Sequence, residues 1–263
     1  MLDANPKRVD SSLVDHFGAL QWAAGRGQAE IVRLLIARKA DVNRLDQSGN
    51  SALNLANRLD VVRALVENGA DVNIEAKGGY TPLHDAIGGG HMDAARYLVA
   101  HGATVDLFSA TGLGDLNRLK KEFDKDPTSL QVKLNGCSLM YWAMDAATVK
   151  FLVAHKVDVN DQGGNGITPL HSVAQKSAEA AEALLENGAN PNAQDKEGWT
   201  PLHNVLRLEK EDAIKVLIKH GADPTIKNNN GESPLNWAIR DSKSQPSIHT
   251  RELLHILEAG VKR

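Results

Sequence analysis

Apolar residues recur in this chain as short helical stripes, and the stripes are separated by a repeated punctuation. The clearest stretch reads Gly79-Tyr80-Thr81-Pro82-Leu83-His84-Asp85-Ala86-Ile87, then Gly88-Gly89-Gly90-His91, then residues 92–101. Proline in a first helical turn sacrifices no needed donor, and the threonine before it can accept an orphan backbone N–H. Thr81-Pro82 therefore starts an inner helix. Gly90-His91 turns the chain, and Ala94, Ala95, Tyr97 and Leu98 have the spacing of an outer helix with one apolar stripe. Gly102 is placed to end that helix in a left-handed cap, and the residues leading to the next start signal form a tight turn.

The same pattern returns along the chain. Thr-Pro-Leu-His occurs at 81–84, 168–171 and 200–203, and Gly-Ala pairs stand at Gly69, Gly102, Gly188 and Gly221. Neighbouring pairs lie 33 residues apart on each side of an irregular middle, a period that implies stacked units without a single central core. Aligned on the last turn of the outer helix, the units end at Lys39, Gly69, Gly102, Asp126, Lys156, Gly188, Gly221 and Gly260.

Gly-x-Thr-Pro-Leu-His, Gly-His and Gly-Ala-Asp-Val-Asn, recurring in order and in phase, resemble the ankyrin repeat over nearly the whole chain. The resemblance implies an all-α ankyrin-repeat solenoid: stacked helix-turn-helix units with projecting β-hairpin or turn fingers, eight of them in one domain over 1–263. Residues 1–45 then form a leader and N-terminal capping repeat, with Gly18-Ala19-Leu20-Gln21 in place of Thr-Pro-Leu-His, and 46–106 the second and third repeats. Residues 107–132 form an irregular fourth repeat, 133–227 the fifth to seventh, and 228–263 a C-terminal cap. The second and fifth repeats lack about three residues between helices and should have shorter inner helices. No room for a finger exists between Asp106 and Phe108, and the polar insert 241–246 is expected to be a loop. The stretches around Asp115 and Pro127 resemble irregular units of bacterial ankyrin proteins.

Composition narrows the chemistry. The net charge of −3 and pI near 6.4 provide no broad attraction to nucleic acid or anionic lipid. A single cysteine, Cys137, forms no internal disulfide, and no apolar run is long enough for a membrane span. The expectation is a soluble, cytoplasmic, monomeric protein. Seven of the ten histidines belong to the repeat pattern, so no metal site, cofactor or catalytic constellation is expected, and no enzyme. The resemblance gives Thr81, Pro82 and His84, Thr168, Pro169 and His171, and Thr200, Pro201 and His203 a structural role, the histidines linking neighbouring loops.

Recognition is then expected at positions the stacking leaves free, the turn tips and the inner-helix residues of the concave face. The position after Thr-Pro-Leu-His reads Trp22, Leu55, Asp85, Ser109, Trp142, Ser172, Asn204 and Trp237, while Trp199 and Tyr80 stand just before Thr200 and Thr81. All four tryptophans thus map to a surface register, where aromatic rings make interface hot spots. With Arg26, Lys77, Asp85, Asn204 and Arg207 beside them, they point to a partner protein or peptide. The alternative is a nucleotide or other small aromatic ligand stacked on Trp142 or Trp199, its phosphates near Lys176 or Arg207.

Overall fold

The computed structural model describes residues 12–13, 17–244 and 248–261. After a short antiparallel pair, β1 (Ser12–Leu13) and β2 (Phe17–Gly18), helices come in inner and outer partners. The first pairs are α1 (Ala19–Gly25) with α2 (Ala29–Ala37), α3 (Ala52–Leu55) with α4 (Leu59–Val66), and α5 (Pro82–Gly88) with α6 (Met92–Ala100). The irregular repeat follows as α7 (Leu107–Leu113) and α8 (Leu116–Lys125). A second antiparallel pair, β3 (Lys133–Leu134) and β4 (Cys137–Ser138), leads to the 3-10 turn Leu139–Trp142 and its partner α9 (Ala146–Ala154). The last pairs are α10 (Pro169–Val173) with α11 (Ala178–Glu186), α12 (Pro201–Arg207) with α13 (Glu211–Lys219), and α14 (Pro234–Ser244) with α15 (Ile248–Val261).

The chain divides into two compact lobes, Met1–Ser109 and Ala110–Arg263, with the division inside α7. In the first lobe α1, α3 and α5 stack as an inner layer and α2, α4 and α6 as an outer one. In the second, the inner layer runs from Leu139–Trp142 through α10 and α12 to α14, and the outer layer from α9 through α11 and α13 to α15. One leucine register makes the inner core: Leu20, Leu53, Leu83, Leu139, Leu170 and Leu202 are each no more than 2% exposed. Each such burial contributes about 2 kcal/mol, and no repeat achieves it without a neighbour.

Local signals explain the ends. Thr81, Thr168 and Thr200 cap inner helices with proline in the first turn. At the outer-helix ends, Gly69, Gly102, Gly188 and Gly221 have φ between 86° and 94°, and the next residue's N–H bonds back across the last turn, as Ala70 does to the Leu65 carbonyl at 3.1 Å. Lys39 and Lys156 adopt this left-handed conformation without being glycine, at φ 68° and 62°. The two aligned ends that differ are Asp126, extended at φ −147°, and Gly260, which lies within α15. A Cβ on Gly260 would stand 2.9 Å from Ile218 Cδ1, so that glycine serves close packing instead of a cap.

The short repeats have one-turn inner elements, α3 and Leu139–Trp142, where α5 has seven residues. The expected insert loop is different: α14 continues as helix to Ser244, and residues 245 and 246 lie outside the described residues, as do 1–11 of the leader. The first repeat leaves Ile31 41% and Leu34 43% exposed, although the residue in the Ile31 register is buried in the next two repeats, as Val61 and Ala94.

Lys39→Gly and Lys156→Gly should each raise stability by roughly 0.5–1 kcal/mol by removing left-handed strain on a Cβ-bearing residue. Equilibrium denaturant unfolding measures it, and a loss of stability would show that the lysine side chains contribute more than the strain costs.

Candidate functional site

The Thr-Pro-Leu-His histidines act as links between repeats. In each copy the threonine backbone N–H donates to the histidine Nδ1, at 3.1 Å for Thr81 and His84, 3.1 Å for Thr168 and His171, and 3.0 Å for Thr200 and His203. An accepting Nδ1 places the ring proton on Nε2, which must then find an acceptor. His171 Nε2 reaches the Trp199 carbonyl at 3.0 Å and His203 Nε2 the Glu232 carbonyl at 3.1 Å, in both cases the residue before the next repeat's cap.

Repeats without histidine link to the next repeat by other chemistry. Gln21 donates to the Arg44 carbonyl at 2.7 Å, Asn54 to the Asp85 carboxylate at 2.8 Å, and the Tyr141 hydroxyl lies 2.6 Å from the Ile167 carbonyl. Tyr141 also accepts from Gly163 N–H at 2.8 Å, and burial pushes its phenol well above the usual range. None of these three was singled out from sequence, although each stands in the third position of its inner helix, where a histidine-centred motif does not look for them.

Where the finger is missing, His84 Nε2 meets the Asp106 carboxylate at 2.9 Å. Asp106 also accepts from Ser109 N–H at 2.8 Å, so it caps α7 while replacing the absent carbonyl. Burial opposes its charge, but the bonds from His84 and Ser109 prevail and hold the carboxyl below the ordinary carboxylate range. This cap moves Ser109 into the third helical position, where it is fully buried instead of facing outward.

Turn asparagines form a second ladder. Asn43 donates to the Gly69 carbonyl and accepts from Asp71 N–H, and Asn73 treats Gly102 and Thr104 alike. In the second lobe Asn160 and Asn192 do the same with Gly188 and Asn190, and with Gly221 and Asp223.

The candidate recognition residues divide by lobe. In the first, Trp22 is 41% exposed, with the Arg26 guanidinium 4.9 Å from its ring centroid. Tyr80 is half-buried, edge-on to His84 at 6.0 Å, and Lys77 is exposed beside the glycine turn at Gly49. Asp85 is half-buried, and burial raises its carboxyl above the usual range despite the Asn54 bond. In the second lobe, Trp199, His203 and Trp237 form one aromatic cluster, Trp199 lying 5.1 Å from Trp237 and 5.8 Å from His203. Arg207 stacks over Trp199 at 5.3 Å, and Asn204 is half-buried on the same helix.

Trp142 departs from the expected surface register. It is only 6% exposed, because the one-turn 3-10 element buries all four residues of Leu139–Trp142 where a two-turn helix would have an outward face. Trp199 and Trp237 are half-buried, which leaves Trp22 as the tryptophan that is largely open to solvent.

Among the described residues no three His, Cys, Asp or Glu side chains converge as a metal site, and no helix is long and apolar enough to cross a membrane. Cys137 is half-buried, and burial together with nearby Asp161 raises its thiol above the usual range, which disfavours the nucleophilic thiolate.

Two outcomes follow. Asp106→Ala should destabilise the first lobe by about 1–3 kcal/mol at neutral pH, since it strands the buried His84 donor. A carboxylate held low contributes stability above about pH 4 and loses it as pH falls through its folded value, so the gap between Asp106→Ala and wild type should close on acidification; a constant gap would mean the charge is irrelevant. In the second lobe, burial depresses the imidazoles of His171 and His203, outweighing their carbonyl bonds. Their contribution is complete above about pH 6.5 and declines as pH falls toward 5, where only the unfolded chain charges readily. Thermal unfolding from pH 7 to 5 should show that decline, and His171→Gln with His203→Gln should flatten it.

A family model for ankyrin repeats in three copies matches residues 2–76, 20–111, 107–195 and 173–250. Similar proteins include an L-asparaginase of Dirofilaria immitis, 27% identical over 169 residues, covering 59% of this chain and 29% of that protein. The human palmitoyltransferase ZDHHC13 is 30% identical over 231 residues, 80% of this chain and 36% of its own. Mouse protein phosphatase 1 regulatory subunit 27 is 39% identical over 90 residues, 33% of this chain and 57% of its own. The chain thus spans less than two thirds of each of these relatives. All three are animal proteins, so the expected bacterial source gains no support.

Proposed function

The chain belongs to the ankyrin-repeat family, and from that premise we propose that it is a non-enzymatic binding module holding a partner protein or peptide on its inner-helix faces and turn tips. Ankyrin repeats are an interaction fold, and the activities named for the asparaginase and the palmitoyltransferase belong to proteins of which the match covers under half. The observation that carries the reading is the pairing of Arg26 with Trp22 and of Arg207 with Trp199. A guanidinium stacked on an indole is preorganised at little further entropic cost, and Arg and Trp dominate interface hot spots. Neither guanidinium takes part in the ladders that hold the repeats together, although the backbone carbonyl of Trp199 receives His171.

The nucleotide alternative loses its stacking platforms. Trp142 is buried, and Trp199 has Arg207 over its ring with the edge of Trp237 against it. The reading makes the working protein a cytoplasmic monomer that binds neither nucleic acid nor membrane.

Trp22→Ala combined with Arg207→Ala should lower partner recovery in a pull-down read by mass spectrometry, while stability changes by no more than about 0.5 kcal/mol, as for exposed sites. Trp199→Ala is a poorer probe, because its ring packs on His203 and Trp237. Recovery of the same proteins by wild type and double variant would remove the reading.

A further inference from the structure

Two cations of the second lobe, Arg207 and Lys176, make no ion pair among the described residues. Arg207 is exposed, and beyond its stacking on Trp199 it makes no ion pair among the described residues. Lys176, in the turn after α10 of the preceding repeat, is half-buried, and its side chain makes no hydrogen bond or ion pair among the described residues. Burial pushes its amine below the usual lysine range, with Cys137 the nearby titratable group.

Three acids of the same lobe are committed elsewhere. Glu232 holds Arg240 at 2.7 Å, Asp161 holds Lys133 at 2.5 Å, and Asp195 accepts the Trp199 and Glu197 backbone N–H groups of its own turn. A half-buried ammonium and a stacked guanidinium that form no ion pair can each take up an anion.

Resting on the peptide-binding reading above, we propose that this face binds an acidic peptide segment, with one carboxylate on the Arg207 guanidinium and another on the Lys176 amine. Stacking holds the planar guanidinium in one orientation, which suits bidentate capture of a carboxylate. The two cations lie in adjacent repeats, so they fit an extended segment crossing from α10 to α12 better than one compact anion. The path is bounded on one side. Lys176 also lines a groove of about 430 Å³ with Glu209, Glu211 and Asp212 of the following inter-helix turn, and none of these acids bonds to it. They repel an acidic segment that strays over the turn and leave it the inner-helix side.

The test uses the full chain and two labelled ten-residue probes, one alternating glutamate with alanine and the other lysine with alanine, followed by fluorescence anisotropy. The glutamate probe should bind and the lysine probe should not, and affinity should fall when ionic strength rises from about 0.05 to 0.3 M. Arg207→Glu and Lys176→Met should each weaken the glutamate probe by at least about tenfold. Lys150→Glu, on the exposed side of the outer helix α9, should leave it unchanged, while Asp212→Lys should strengthen it. Equal binding of both probes, or equal weakening by Lys150→Glu, would make the effect generic electrostatics and overturn the proposal. So would displacement of the probe by inorganic tripolyphosphate at lower concentration than unlabelled peptide, which would assign the site to phosphate. Loss of the acidic preference with partner recovery still dependent on Trp22 and Arg207 would remove only this inference, whereas recovery independent of both would remove the broader reading.

Discussion

Everything else in this chain depends on a donor in the third position of the inner helix. A repeat of two short helices buries its apolar stripe only against a neighbour, and the neighbour must arrive in one register. The side chain at that position reaches forward to set it: His84, Tyr141, His171 and His203 bond the group just ahead of the next inner helix, Gln21 bonds the earlier Arg44 carbonyl, and Asn54 bonds Asp85 inside α5. Histidine suits this task because one ring nitrogen accepts the cap's own N–H while the other donates forward, so the local cap and the long-range link share one residue. Gln21, Asn54 and Tyr141 show that the role is geometric and electronic and is not tied to imidazole.

The irregular repeat shows the same constraint under stress. Deleting the finger removes the carbonyl that would receive His84, and the chain supplies Asp106 in its place. A carboxylate serves two donors at once, the imidazole from behind and the Ser109 N–H ahead, so α7 starts without an intervening turn. The consequence is a charged, pH-sensitive link in the first lobe where the second has neutral links through Trp199 and Glu232 carbonyls. Asparagines at the turns repeat the logic on the outer side, each tying the end of the next outer helix to the turn before it.

With histidines, glycines and turn asparagines committed to stacking, the residues left for recognition are few. Arginine on tryptophan recurs in both lobes, and each guanidinium is open to a partner's carboxylate. The aromatic cluster of Trp199, His203 and Trp237 joins the two roles, since His203 links two repeats while Trp199 presents Arg207. Recognition and stacking are therefore mechanically adjacent in the second lobe, and the exposed guanidinium is a cleaner handle on binding than the ring beneath it.

The family, the inner and outer helices and the left-handed ends at Gly69, Gly102, Gly188 and Gly221 were legible in the chain itself, because they rest on local rules: a proline after a cap, a 3.6-residue stripe, a glycine where φ is positive. The same rules foretold the one-turn α3 and the absent finger. They could not place Trp142, since its register is that of an outward residue on a two-turn helix and its burial follows from a 3-10 turn packed against a neighbour. Nor could they turn Asp106 from a residue at a repeat's end into the acceptor of His84, or show that Gly260 lies inside a helix against Ile218. Pairing of Arg26 with Trp22 and of Arg207 with Trp199 likewise depended on side-chain positions in space. Sequence determines what each residue can do for its own turn of helix; which group meets it from the next repeat is decided by the stack, because that contact spans some thirty residues and obeys no local period.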